Sequence, residues 1–102
     1  MSPILVRIKR LLIAGKYRFS FKAETEMQAD SLEPSDIVEA VTNAPEIYKS
    51  LRSTNMSRFA KERLYVIYGT TYDGVPVYTK GTIRDVDGAE IYYFFISSKR
   101  DA

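Results

Sequence analysis

A chain of 102 residues, 45% hydrophobic and 27% charged, can build one domain with a packed core but not two. It has no cysteine and no histidine, which removes disulfides, thiol chemistry, the usual zinc ligands, the histidine general base and the Cys–His dyad. The net charge of +2 hides a lopsided distribution: Ala23 to Tyr48 carries seven acids (Glu24, Glu26, Asp30, Glu33, Asp36, Glu39 and Glu46) and no Lys or Arg, while the rest holds 15 basic residues against six acids. That window is either a solvated acidic helix pair or the side turned away from a basic face that meets a polyanion.

Ser2-Pro3 starts a helix, with Ser able to cap and Pro suited to the first position. Ile4, Ile8, Leu11 and Leu12 recur at helical spacing, Arg7 and Arg10 lie opposite, and Gly15 terminates, so the helix spans Pro3 to Ala14. The apolar run Ile4–Ile13 is interrupted by Arg7, Lys9 and Arg10. It falls short of the roughly 20 residues of a membrane span and has no convincing cleavage site, so neither a span nor a signal peptide is expected. Lys16 to Ser20 alternates as a short extended piece. Ser20 caps a second helix with Phe21, Ala23 and Met27 toward the core. After a break at Ser31–Pro34, a third helix puts Ile37, Ala40, Val41 and Ala44 on one stripe and ends at Asn43 and Pro45.

The second half changes period. Glu46–Leu51 reads as a short strand, Arg52–Lys61 as a polar loop, and Arg63–Thr70 as a strong strand rich in Tyr, Val and Ile. Asp73-Gly74 and Asp87-Gly88 are hairpin turns that bound strands over Val75–Asp85 and Ala89–Ser98. The expectation is a single α+β domain over residues 1–102: N-terminal helices packed on one face of a mainly antiparallel sheet of about four strands.

Alternation along Val75–Asp85 separates Val75, Val77, Thr79, Gly81 and Ile83 from Pro76, Tyr78, Lys80, Thr82 and Arg84. The second set is either an ordinary wet sheet face or a nucleic-acid platform, with Tyr78 stacking or donating a proton and Lys80 and Arg84 meeting phosphates. Lys49 lies between Ile47 and Leu51, and by alternation shares their face. Lys99 and Arg100 end the last strand, where simple solubility would also explain them. Eight tyrosines and five phenylalanines are a generous supply. Most belong to core or sheet packing, and their interleaving with basic residues suits single-stranded RNA.

Four segments together resemble the MqsR mRNA interferases in order and separation. They are Ile8-Lys9-Arg10-Leu11-Leu12-Ile13-Ala14-Gly15, Tyr48-Lys49-Ser50, Val77-Tyr78-Thr79-Lys80 and Ser97-Ser98-Lys99. The element order is similar to the wider RelE-like fold. The resemblance implies a cytoplasmic toxin of a bacterial type II toxin–antitoxin system, an endoribonuclease that needs no metal or cofactor. In such enzymes the RNA 2′-hydroxyl attacks the adjacent phosphorus. Lys, Tyr and Arg share deprotonation, charge stabilisation and protonation of the leaving oxygen. Free Lys and Tyr titrate at about 10.4 and 10, so their surroundings decide which role each takes. The implied catalytic residues are Lys49, Tyr78 and Lys99, with Lys80, Arg84, Arg63 and Arg100 as RNA contacts. The implied partners are mRNA, free or on the ribosome, and an antitoxin protein with a zinc-finger domain. No membrane is implied.

One departure stands out. The family is expected to carry a functional glutamine on the strand matching Arg63–Tyr68, and the only glutamine here is Gln28, in a helix. Tyr65 or Arg63 is then the substitute, or the cleavage preference differs, or activity is lost. Two other readings stand beside the ribonuclease. One is a non-catalytic RNA- or protein-binding module on the same fold. The other is a regulatory protein whose sheet edge pairs with another chain.

Overall fold

The computed structural model describes residues 2–53 and 62–101. The chain runs α1 (Pro3–Ile13), β1 (Tyr17–Phe19), α2 (Phe21–Ala29), α3 (Pro34–Thr42), β2 (Lys49–Arg52), β3 (Arg63–Thr70), β4 (Pro76–Val86) and β5 (Glu90–Arg100). The fold is α+β, as the sequence suggests. Most of the expected polar loop, residues 54–61, lies outside the described residues.

Each helix begins where the sequence supplies a cap. The Ser2 hydroxyl accepts from the Leu5 amide at 3.0 Å, and the Ser20 hydroxyl accepts from the Ala23 amide at 3.0 Å. Before Pro34, the Asp36 carboxylate accepts from the Glu33 amide at 2.8 Å. Such caps satisfy amides that have no partner inside the helix. Gly15, at φ 75°, ends α1 in the left-handed conformation that glycine adopts without strain. Leu5, Ile8 and Leu12 form the buried stripe of α1. Ile4, expected on that stripe, is 41% exposed, because the inward line passes one position further along the helix. Phe21 is also expected inside and is 85% exposed: as the first residue of α2 it lies off the line of Ala23 and Met27, which are buried. In α3 the expected residues Ile37, Ala40, Val41 and Ala44 are all buried. The Lys9 ammonium donates to the Ala44 carbonyl at 2.6 Å, placing a cation where the last carbonyls of α3 converge.

The sheet has five strands in the order β1-β5-β4-β3-β2. The expected count of about four is corrected because the Lys16–Ser20 piece joins the sheet, as β1 paired parallel to β5. The other three pairings are antiparallel. The helices cover one face, where Tyr65, Ile67, Val77, Tyr93 and Phe95 pack with the helical core residues. Burial of each such side chain contributes about 1.5–3 kcal/mol. Gly69 lets α3 sit directly on β3, since a Cβ there would lie 2.5 Å from the carbonyl carbon of Ala40.

A β-bulge decides what the last strand presents. Lys80 pairs with Ser97 and Gly81 with Phe95, which leaves Ile96 as an extra residue. Ser20 fixes the bulge by donating its amide to the Phe95 carbonyl at 2.9 Å and its hydroxyl to the Ile96 carbonyl at 2.9 Å. Before the bulge, Tyr93 and Phe95 face the helices. After it the alternation is inverted, so Lys99 pairs with Tyr78 on the opposite face. Beyond β1 the outer edge of β5 is closed by one acid of α2, Glu26, and by Asp30, which caps the C-terminus of that helix. Glu26 accepts from the Ser98 amide at 3.2 Å and Asp30 from the Arg100 amide at 2.8 Å. These bonds occupy amides that would otherwise template another strand.

Candidate nucleic-acid interface

The face of the sheet away from the helices carries the residues singled out by sequence. Cross-strand partners share a face, so two registered rows can be read across it. Lys49, Val66, Lys80 and Ser97 form one row, and Tyr68, Tyr78 and Lys99 the next. Lys49, Tyr78 and Lys99 therefore lie on one face. Tyr78 and Lys99 are direct neighbours, while Lys49 stands in the adjacent row, on the far side of β3 from Tyr78. Lys80 belongs to the same face as all three.

Two residues not chosen from sequence complete the second row. The Tyr48 ring lies 5.1 Å from the Tyr68 ring, and the Tyr68 ring 5.4 Å from the Tyr78 ring, both in edge-to-face arrangement. Such pairs contribute about 0.5–1.5 kcal/mol each beyond area burial. Lysines stand at both ends. Lys49 Nζ is 5.9 Å from the Tyr48 centroid, and Lys99 Nζ is 5.4 Å from the Tyr78 centroid, within reach of cation–π attraction. Tyr48 is 62% exposed and Tyr68 37%, so their rings remain open to a stacking ligand. Tyr68 was legible in principle: folding the chain about the Asp73-Gly74 turn sets it opposite Tyr78.

Tyr78 is half-buried. Burial, then the neighbouring Tyr68 and Glu26, push its phenol above the ordinary value of 10.0. Each of these effects penalises the phenolate, so Tyr78 remains a proton donor at neutral pH rather than a base. An open depression of about 520 Å³ lies at this end, lined by Asp30, Tyr68, Tyr78, Lys99, Arg100 and Asp101. Its charge is mixed. Glu26 approaches Lys99 at 3.9 Å while accepting from the Ser97 hydroxyl at 2.7 Å. The acidic sector is thus not turned wholly away from the basic face; α2 brings Glu26 and Asp30 to its rim.

The remaining RNA-contact candidates are placed differently. Arg84 is on the open face, but its guanidinium bonds Glu62 at 3.0 and 3.3 Å and stacks 4.1 Å above Phe94. Arg18, beside it, pairs with Glu90 at 2.6 Å and lies 4.6 Å above Tyr92. At this end of the sheet the guanidinium groups already cover one face of each ring and are neutralised by carboxylates, which makes it a packed surface. Arg63 shares the helix-side face with Tyr65 and lines, together with Lys49, Ile47, Ile4 and Ser2, a depression of about 790 Å³ at the β2 edge, apart from the one beside Tyr78. Arg100 pairs with Val77, on the helix-side register, and reaches the depression at the rim beside Tyr78.

Among the described residues no group of three or more His, Cys, Asp or Glu is placed to hold a metal ion. None of their helices is long and apolar enough to cross a membrane. Comparison with protein-family models, with curated proteins and with solved structures finds no match.

Proposed function

We propose that the open face binds single-stranded RNA and that the chain is a metal-independent endoribonuclease: a cytoplasmic mRNA interferase of a toxin–antitoxin pair, on a RelE-like fold. The observation that carries the reading is the row Tyr48–Tyr68–Tyr78 with Lys49, Lys80 and Lys99 beside it, on the face of the sheet turned away from α1, α2 and α3. Rings in a row offer successive bases a stacking platform, and adjacent ammonium groups follow the phosphates. Tyr48, Lys49, Tyr78, Lys80 and Lys99 belong to the motifs through which the sequence resembles the MqsR interferases; Tyr68 does not.

In this reading the RNA lies along the tyrosine row with the scissile phosphate at the Tyr78–Lys99 end. The 2′-hydroxyl attacks phosphorus, the P–O5′ bond breaks, and a 2′,3′-cyclic phosphate and a 5′-hydroxyl result. Tyr78, held as a phenol, gives its proton to the departing O5′. The Lys99 ammonium stands where negative charge gathers on the phosphorane oxygens. Lys49 and Lys80 hold flanking phosphates. The partner that restrains the enzyme is an antitoxin protein.

A second reading, a binding module without catalysis, is favoured by the carboxylates around Lys99: Glu26 at 3.9 Å reduces the positive charge available to a phosphorane. Purified protein with a labelled single-stranded RNA in EDTA separates the two. The interferase cleaves under chelation; Tyr78→Phe keeps the ring and binds RNA with parental affinity but loses cleavage, and Lys49→Ala loses affinity. Binding without cleavage supports the module. Affinity should fall with salt at a logarithmic slope of about −2 for three phosphate contacts. No RNA affinity at low salt removes both readings.

A further inference from the structure

A phenol that stays protonated and lysines beside it supply an acid and a positive charge, but they leave the attacking 2′-hydroxyl without a base. Three carboxylates stand near the Tyr78–Lys99 end, and their partners distinguish them. Glu26 is committed to the Ser97 hydroxyl, the Ser98 amide and Lys99. Asp30 is committed to the Arg100 amide at 2.8 Å. The Asp101 carboxylate makes no hydrogen bond or ion pair with the described residues, although it lines the same depression as Tyr78, Lys99 and Arg100. Its backbone is fixed: the Asp101 amide donates to the Pro76 carbonyl at 2.9 Å, anchoring the residue to the first position of β4. A carboxylate without a partner among the described residues, on an anchored backbone and lining one depression with two cations and a proton donor, has the chemistry of a general base.

We infer that Asp101 is the catalytic base of the proposed cleavage. The inference rests on the ribonuclease reading and extends it. The Asp101 carboxylate takes the proton of the 2′-hydroxyl, O2′ bonds to phosphorus, the P–O5′ bond breaks, and O5′ receives the Tyr78 proton. One proton enters the protein and one leaves it, and solvent restores both groups between turnovers. Arg100 and Lys99 offset the negative charge that Asp101 presents to the phosphate.

The test is single-turnover cleavage of a short single-stranded RNA in EDTA by the parent, Asp101→Asn, Asp101→Glu and Asp30→Asn, with Kd measured for each on the same RNA carrying a 2′-deoxy sugar at the scissile position. The expected result is a loss of about 100- to 10,000-fold in rate for Asp101→Asn, with RNA affinity unchanged or tighter because a negative charge is gone. Asp101→Glu restores part of the rate. Asp30→Asn, which removes a lining carboxylate but not the base, lowers stability and changes the rate of the folded fraction by less than about tenfold, far short of the Asp101→Asn loss. Asp101→Asn cleaving within about threefold of the parent overturns the assignment, and so does a loss confined to Asp30→Asn. A parent that binds RNA and never cleaves it sinks the ribonuclease reading itself, an outcome distinct from either of these.

Discussion

Raising the pH above 10 tests the core from inside. Tyr93 is wholly buried, and its hydroxyl has no hydrogen-bond partner among the described residues. Its ring lies under Gly81, where a Cβ would come within 2.6 Å of it. Burial pushes the phenol far above its ordinary value, so the folded chain keeps the proton while an unfolded chain, titrating near 10, loses it. Because the folded value is the higher one, this contribution to stability is complete below about pH 10 and is lost as pH rises beyond it. At pH 11 the unfolded state gains RT ln(1 + 10), about 1.4 kcal/mol, from this one group, against about 0.1 kcal/mol at pH 9. Tyr93→Phe has no such titration. It also removes an unsatisfied hydroxyl, so at pH 8 the variant should be about 1 kcal/mol more stable than the parent. Urea unfolding followed by circular dichroism from pH 8 to 11 gives the difference between the two proteins at each pH, and the lysines and other tyrosines common to both cancel. The expected difference widens by about 1.3 kcal/mol between pH 9 and 11. A difference that stays constant, or a variant less stable than the parent at pH 8, refutes the reasoning.

Three further outcomes follow from packing and polar contacts. Gly69→Ala drives a Cβ to 2.5 Å from the Ala40 carbonyl carbon, an overlap only a shift of α3 can relieve; the cost is about 2–3 kcal/mol, and calorimetry should show Tm falling by roughly 8–20 °C. Glu62→Gln weakens the bidentate bond to Arg84, where the two side chains are only 14% and 17% exposed; urea titration should show a loss of about 1–3 kcal/mol, with RNA affinity unchanged if this end of the face is packing. Ser20→Ala removes the cap of α2 and the hydroxyl that holds the bulge; about 1–2 kcal/mol should be lost, with faster amide exchange at the start of α2 by NMR.

The elements were legible because their signals are local. Ser2-Pro3, Gly15, Pro34, Asp73-Gly74 and Asp87-Gly88 mark ends and turns through backbone geometry, and β3 begins and ends at the expected Arg63 and Thr70. The two faces of β4 were legible from Pro76 to Gly81, where Val77, Thr79 and Gly81 are buried in alternation; Thr82, expected among the polar set, is buried as well, its hydroxyl donating to the Arg63 carbonyl. What sequence could not supply is long-range. The parallel pairing of Tyr17–Phe19 with β5 depends on residues over seventy positions away, which is why a fifth strand was missed. The same holds for Glu26 and Asp30, read as part of an acidic helix pair and found closing the edge of β5.

The bulge at Ile96 shows most clearly how a site depends on something outside its motif. Tyr93 and Phe95 are core residues, so unbroken alternation along β5 would send Ser97 and Lys99 under the helices with them. One extra residue inverts the pattern, and Lys99 comes to pair with Tyr78 on the open face. Ser20, the cap of α2, holds the inversion in place through the carbonyls of Phe95 and Ile96. The position of the proposed phosphate-binding lysine is therefore set by a helix cap in the first third of the chain. Two of the residues it stands among, Tyr68 and Tyr78, are brought together by a hairpin turn elsewhere. Short motifs at similar separations could suggest which side chains matter, but only the register of four strands and one bulge puts them on a common surface.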